Sequence, residues 1–139
     1  MEKFIQSIKI LLSAAGAYLF GGFDGLIQLL CIVMAVDFLT GILLATVFRK
    51  SPKSSGGALK SDVAAKGVAR KVCQLLLVMI ITRLGASLGD QSFCRNTAIL
   101  FFVANECISI LENMGLMGVK YPRWLAKSIE VLLDNSDNK

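Results

Sequence analysis

Long apolar stretches, separated by short polar or basic segments, dominate the pattern of this chain. Four of them can be drawn, at about residues 4–23, 26–48, 72–88 and 97–117. An α-helix rises about 1.5 Å per residue, so about 20 apolar residues cross the roughly 30 Å hydrocarbon core of a bilayer. The pattern therefore predicts an all-α, polytopic integral membrane protein. It forms a single membrane domain, residues 1–139, with three to four transmembrane helices.

The first apolar stretch, about residues 4–23, leaves three interpretations open. It can span the membrane with Lys9 reaching the interface, or it can lie along the surface as an amphipathic segment. The third interpretation is a signal peptide. Lys3 and Lys9 would then form its basic region, and Ala15 and Ala17 would offer an A-x-A cleavage site.

A basic segment, residues 49–71, separates the second and third stretches. It holds seven of the fifteen Lys and Arg residues and one acid, Asp62. Its Ser-, Gly- and Pro-containing first half predicts a flexible loop, and its second half is suited to a short helix leading into the third span. Because Lys and Arg accumulate in cytoplasmic loops, this loop is expected in the cytoplasm. Four spans then place both termini in the cytoplasm, whereas three spans place the N-terminus outside.

The C-terminal tail, residues 121–139, predicts an amphipathic helix. Pro122 stands at a helix start, and apolar residues recur after it at helical spacing. The apolar face can lie on the inner leaflet or pack against a neighbouring subunit. Tyr121, Arg123 and Trp124 are the expected anchors at the membrane interface.

Composition supports the membrane class. The chain is 55% hydrophobic and only 18% charged, with a mean hydropathy of +0.65. A soluble domain of 139 residues could not bury that much apolar surface. The net charge of +5 is explained by basic residues beside the apolar stretches, so the lipid bilayer is the expected partner and nucleic acid is not.

Several features argue against an enzyme. The chain has no histidine, which removes the commonest metal ligand and the usual general base. Its loop glycines lack the order of a phosphate-binding loop. No catalytic residue, cofactor or metal site is therefore expected. The four cysteines, without a C-x-x-C spacing, favour packing residues over a disulfide or metal site.

Polar groups within the apolar stretches are the candidate functional residues. Asp37, Arg83 and Glu106 lie inside the second, third and fourth stretches. A charge at mid-membrane costs about 2.5–3.5 kcal/mol, so these groups are not expected to face lipid. Arg83 can pair with Asp37 or with Glu106, within one chain or between chains. Gly41 and Ala45 share the face of Asp37 and would let another helix approach closely.

The fourth stretch carries several polar residues on one helical face. Together with the residues above they form the expected polar seam, which consists of Asp37, Thr40, Arg83, Asn105, Glu106, Ser109, Glu112 and Asn113. Such a seam suits either a polar contact that joins helices or the wall of a water-filled pore. Five polar residues on one face exceed what a simple contact needs, which favours the pore.

Two segments carry a family resemblance. The segment ANECISILENMGLMGVKYPRWLAKSIEVL, residues 104–132, resembles the C-terminal signature of the phage lysis and toxin-secretion holins. In that signature a glutamate-containing span runs through S-I-L-x-N-x-G-L-x-G to a proline and a basic amphipathic helix. DFLTGILLA and the basic Ser/Gly loop after it, residues 37–57, are similar to the family's earlier hallmark.

The resemblance implies a holin that forms homo-oligomers in the cytoplasmic membrane of a bacterial host, chiefly a Gram-positive one. It would open a lesion at a set time and let endolysin or a toxin cross, with lysis as the result. The partnership with endolysin would be functional rather than a direct contact. The alternatives are an antiholin-like regulator, a membrane scaffold without a pore, and a small ion channel or transporter.

Overall fold

The computed structural model describes residues 1–53, 56, 60–125, 127–128 and 131. Four helices follow one another along the chain: α1 (Glu2–Phe20), α2 (Gly25–Thr46), α3 (Ser61–Leu88) and α4 (Gln91–Leu116). No β-strand occurs in this described part. The helices α2, α3 and α4 are long and apolar enough to cross a membrane, and α1 is not among them. The predicted all-α class with three spans is therefore confirmed.

The helices run up and down with connections of unequal length. Short turns at residues 21–24 and 89–90 lie at one end of the bundle, called here the turn end. The connection between α2 and α3, residues 47–60, lies at the opposite loop end. At the turn end Asp24 caps α2, because its carboxylate accepts hydrogen bonds from the backbone N–H groups of Leu26 (3.1 Å) and Ile27 (3.2 Å).

The core forms where α4 packs against α2 and α3. Its buried apolar side chains are Ile27, Leu30, Val33, Met34, Val78, Ala98, Ile99, Phe102 and Ile110. Close to the turn end α3 and α4 approach too closely for a side chain on Gly85, since a Cβ there would lie 2.7 Å from the Cβ of Cys94. This contact fixes the turn end of the bundle.

The outer surface of α2, α3 and α4 is strongly apolar. Large exposed side chains on these helices include Leu29, Ile32, Leu39, Leu43, Leu76, Leu77, Ile80, Leu84 and Leu100. A surface of this kind would be unfavourable in water and suits contact with lipid tails. Helix α1 buries no residue, and its Phe4 and Leu11 are each 70% exposed.

A buried arginine ties the end of α1 to α4. Arg95, 4% exposed, donates from both terminal nitrogens to the carboxylate of Asp24, at 2.9 Å each. It also donates to the backbone carbonyls of Phe20 and of Gly22, the latter at 3.1 Å. Gly21 makes this possible, because its φ of 69° is left-handed and a Cβ there would press on the Arg95 side chain.

Two predicted segments flank the last two spans. The predicted helix in the Ala-, Lys- and Arg-rich second half of residues 49–71 is present, and it forms the first turns of α3 without a break before the apolar stretch. The third helix therefore begins at Ser61. The tail is helical at residues 123–125 and 127–128, and the rest of the predicted amphipathic helix lies outside the described residues.

Candidate functional site: a buried ion cluster between three helices

A lysine bridges two acids at the junction of α2, α3 and α4. The Nζ of Lys71 lies 2.8 Å from Oδ2 of Asp37 and also donates to Oε2 of Glu106. The side chains of Lys71, Asp37 and Glu106 are only 16%, 11% and 6% exposed. One residue from each of the three candidate spans therefore meets in a single buried ion cluster.

Two neutral residues extend this cluster along α2 and α4. Asn113 donates through Nδ2 to Oδ1 of Asp37 (3.3 Å) and to Oγ1 of Thr40 (3.1 Å). The hydroxyl of Thr40 in turn donates to the backbone carbonyl of Asp37 at 3.0 Å. Asp37 thus has donors from both Lys71 and Asn113, whereas Lys71 is the donor that the structure gives to Glu106.

The cluster lies deep in the bundle and toward its loop end. At the helical rise, Asp37 stands about 18 Å from the start of α2, and Glu106 about 23 Å from the start of α4. Lys71 stands about 26 Å before the end of α3. A roughly 30 Å hydrocarbon core that began at the turn end would enclose all three charges.

The charges of the cluster do not balance. Two carboxylates share one ammonium, so the three groups together carry −1 when all are ionised. Taking one partner from a buried ion pair costs about 3–5 kcal/mol, because the remaining charge loses its compensation. Lys71 is thus the residue on which the stability of this junction depends most.

A cavity of about 240 Å³ with both apolar and polar walls opens beside the cluster. It reaches from the cluster to the loop end and is lined by charged and polar side chains of all three helices and of the connection before α3. These are Asp37, Ser51, Lys53, Lys60, Arg70, Lys71, Gln74, Asn105, Glu106, Ser109 and Asn113. The three helices therefore already enclose a space that is suited to water or a polar ligand.

Within its own chain Arg83 does not pair with Asp37 or Glu106 among the described residues, and pairing between chains stays a prediction. Its Nη2 donates to the hydroxyl of Tyr18 at 2.8 Å, and its guanidinium carbon lies 4.0 Å from the centre of the Tyr18 ring. Arg83 lies only five residues from the end of α3, so it is near the turn end. Lys71 lies beside Asp37 and Glu106 because the helix expected in the second half of residues 49–71 is continuous with the third span.

The polar face of α4 divides into a buried line and an exposed line. Glu106 and Asn113 are buried, and seven residues apart they stand nearly above one another. Asn105 and Glu112 each precede one of them by a single residue, which turns them about 100° away, and both are exposed. Ser109 is half-buried between the two lines. Of the polar residues predicted on this face of α4, only Glu106 and Asn113 are buried between the helices.

The small residues predicted on the face of Asp37 lie where α2 meets α4. Ala45 is buried, and Gly41 is half-buried at the cavity wall. A Cβ on Gly41 would come within 3.9 Å of Nδ2 of Asn113, which is an ordinary contact distance. Gly41 therefore lines the cavity, and the packing of α2 on α4 does not require a glycine there.

The cysteines are free thiols with two kinds of environment. Cys94 and Cys107 are half-buried, and Cys107 packs on the core, as a packing residue would. Cys31 and Cys73 are exposed on the apolar outer surface. In the described part of the chain no group of three or more Cys, Asp or Glu residues could hold a metal ion.

Comparison with known proteins identifies the family. The model of the bacteriophage holin family matches residues 14–134. A protein of Listeria innocua named only as uncharacterized is 35% identical over 133 residues, covering 95% of this chain and 89% of its own. A protein of Bacillus phage phi105 named "probable holin" is 30% identical over 128 residues, covering 92% and 88%.

A third relative, an uncharacterized protein of Clostridium perfringens, is 30% identical over 142 residues and covers 99% of this chain and 98% of its own. No solved structure matches the chain. The family model covers both the ion cluster and the three apolar helices. This multi-pass membrane protein belongs to the bacteriophage holin family.

Proposed function

We propose that this protein acts as a holin, which assembles in the cytoplasmic membrane of a bacterial host and opens a lesion through which endolysin, or a toxin, crosses. The observation that carries the proposal is the cluster of Lys71, Asp37 and Glu106, buried where three apolar helices meet. Charges at this depth are costly unless they are paired or hydrated. When the helices of such a bundle move apart, water can replace the ion pairs that these charges lose.

In the closed state the pairing holds the helices together. Lys71 joins α3 to α2 and to α4, and these contacts lie in the wall of the cavity. In the open state the helices turn so that these groups line a hydrated opening. Water in the opening replaces the lost pairing, and the apolar outer faces stay in contact with lipid.

The exposed polar line of α4 supports assembly into homo-oligomers. Glu112 is exposed on a helix whose other outward side chains include Leu100 and Phe101, whereas Asn105 borders the cavity. Polar groups facing lipid are unfavourable, and a second copy of the chain or water in a lumen would satisfy them. Neighbouring copies would therefore meet along this line.

The distribution of basic residues sets the proposed orientation. Lys and Arg are concentrated at residues 49–71 and at 120–127, next to the loop end of the bundle. The loop end is then cytoplasmic and the turn end external. With three spans, α1 lies on the external side, tied to the bundle by Arg95. The C-terminus is cytoplasmic.

Expression in a bacterium with and without a cytoplasmic endolysin tests the proposal. Membrane potential, optical density and release of a folded reporter enzyme are followed together. We expect abrupt loss of potential with reporter release, and lysis only when endolysin is present. Loss of potential without reporter release would identify a small channel. Continued growth at verified membrane levels would identify an antiholin-like regulator or a scaffold.

A further inference from the structure

The cavity beside the ion cluster has an excess of positive charge. Among its described lining residues, Lys53, Arg70 and Lys71 face the carboxylates of Asp37 and Glu106. Both carboxylates are bonded to Lys71, deep in the cavity. Lys53 and Arg70 are exposed at the loop end, so the mouth is cationic. A ligand held at this mouth would carry negative charge.

The inner part of the cavity offers acceptors instead. The side-chain oxygen of Gln74, one turn from Lys71 on the same face of α3, is fully buried and has no hydrogen-bond partner among the described residues. An unpaired buried acceptor is unfavourable and calls for a donor that the protein itself does not provide. The carboxylates of Asp37 and Glu106 add further acceptors at this level.

The size and position of the cavity restrict the ligand. Its volume of about 240 Å³ is below the roughly 300–1,000 Å³ of sites that enclose drug-sized molecules. Its mouth lies at the loop end, where helix α2 leaves its apolar stretch. Phe38, Ile42 and Val63 form part of the apolar wall of the cavity. A small polar headgroup with apolar chains beside it fits these limits.

We propose that this cavity binds the headgroup of an anionic glycerophospholipid of the inner leaflet. The phosphate lies between Lys53 and Arg70, and the hydroxyl groups of a glycerol headgroup donate to the oxygen of Gln74, one helical turn from Arg70. The lipid would link the basic connection before α3 to the ion cluster. This inference requires insertion in a membrane but does not depend on holin activity.

Lipid binding by the purified full-length protein in detergent tests the site. Native mass spectrometry measures retention of phosphatidylglycerol, phosphatidic acid and phosphatidylcholine. We expect phosphatidylglycerol to be preferred over phosphatidylcholine, and Arg70→Gln to weaken its binding about tenfold through loss of a charge-assisted contact. Gln74→Leu is expected to abolish the preference for phosphatidylglycerol over phosphatidic acid, which lacks headgroup hydroxyls.

Lys66→Gln is the matched control. Lys66 is on the same helix, lies 3.9 Å from Asp62, is well exposed and does not line the cavity. Its replacement should leave lipid binding unchanged. An equal loss for Lys66→Gln and Arg70→Gln would show diffuse charge attraction and overturn the proposal. Displacement of the lipid by millimolar inorganic phosphate or glycerol phosphate would assign the site to a soluble phosphate and overturn it as well.

Discussion

The ammonium of Lys71 lies 2.8 Å from the carboxylate of Asp37, although the sequence places Lys71 at the end of a basic loop and Asp37 inside an apolar span. The two meet because α3 starts at Ser61 and carries Lys71 down beside α2. Glu106 of α4 completes the junction. The charge balance of these three groups is the basis of the proposed closed state.

Glu106→Gln is expected to delay lysis. It changes the charge of the cluster from −1 to zero and keeps the pair between Lys71 and Asp37, so the closed state gains stability relative to an open, hydrated one. The time from induction to the fall in optical density, at equal protein levels and with endolysin present, measures the effect. Earlier lysis would contradict the charge argument.

Asp62→Asn is the matched control for that experiment. Asp62 is well exposed, lies 3.9 Å from Lys66, and has no part in the cluster. The same change in charge at this position should not stabilise the closed bundle. An equal delay for both variants would attribute the delay to net charge rather than to the cluster.

Arg95→Gln is expected to loosen α1 from the bundle. Arg95 donates to the Asp24 carboxylate and to two carbonyls at and just after the end of α1. Glutamine has no charge and too few N–H donors to replace these contacts. We expect the free energy of unfolding in detergent to fall by about 2–3 kcal/mol. Limited proteolysis should cut near residues 21–24 sooner. Arg123→Gln, at an exposed position, should change neither measurement.

Acid should weaken the same contact. The hydrogen bond from Arg95 lowers the pKa of the Asp24 carboxyl below its ordinary value of 3.8. A lowered folded-state pKa means that the contribution to stability is present above the unfolded value, near pH 4, and is lost as the pH falls through the folded value. Unfolding of the wild type and of Asp24→Asn should therefore differ at pH 7 and converge in strong acid. A constant difference would contradict this pKa.

The apolar pattern alone predicted much of this fold. Four apolar stretches predicted three to four spanning helices, of which three are long and apolar enough to span, and the cost of buried charge indicated that Asp37 and Glu106 would not face lipid. The partner was missed because Lys71 lies at the border of a segment whose composition resembles a loop. The position of Lys71 depends on how far α3 extends before its apolar stretch. A hydropathy pattern does not show where such a helix begins.

Arg95 shows a second limit of the sequence pattern. It stands close to a turn, where an arginine usually faces solvent, yet it is buried against the end of α1. Its partners are backbone carbonyls and Asp24, more than seventy residues away in the chain. Such a contact depends on how the helices pack, so the order of residues gives no local signal for it.

Whether the ion cluster holds the bundle closed is decided by the timing of lysis in Lys71→Gln, in Lys66→Gln and in the double variant Lys71→Gln/Glu106→Gln. Removing Lys71 leaves two buried carboxylates without their cation, so the closed state should be lost early and lysis should start sooner than in the wild type. Lys66→Gln should lyse at the normal time, and the double variant should recover most of the delay because one uncompensated charge is gone. Unchanged timing in Lys71→Gln, at equal membrane levels, would contradict the account.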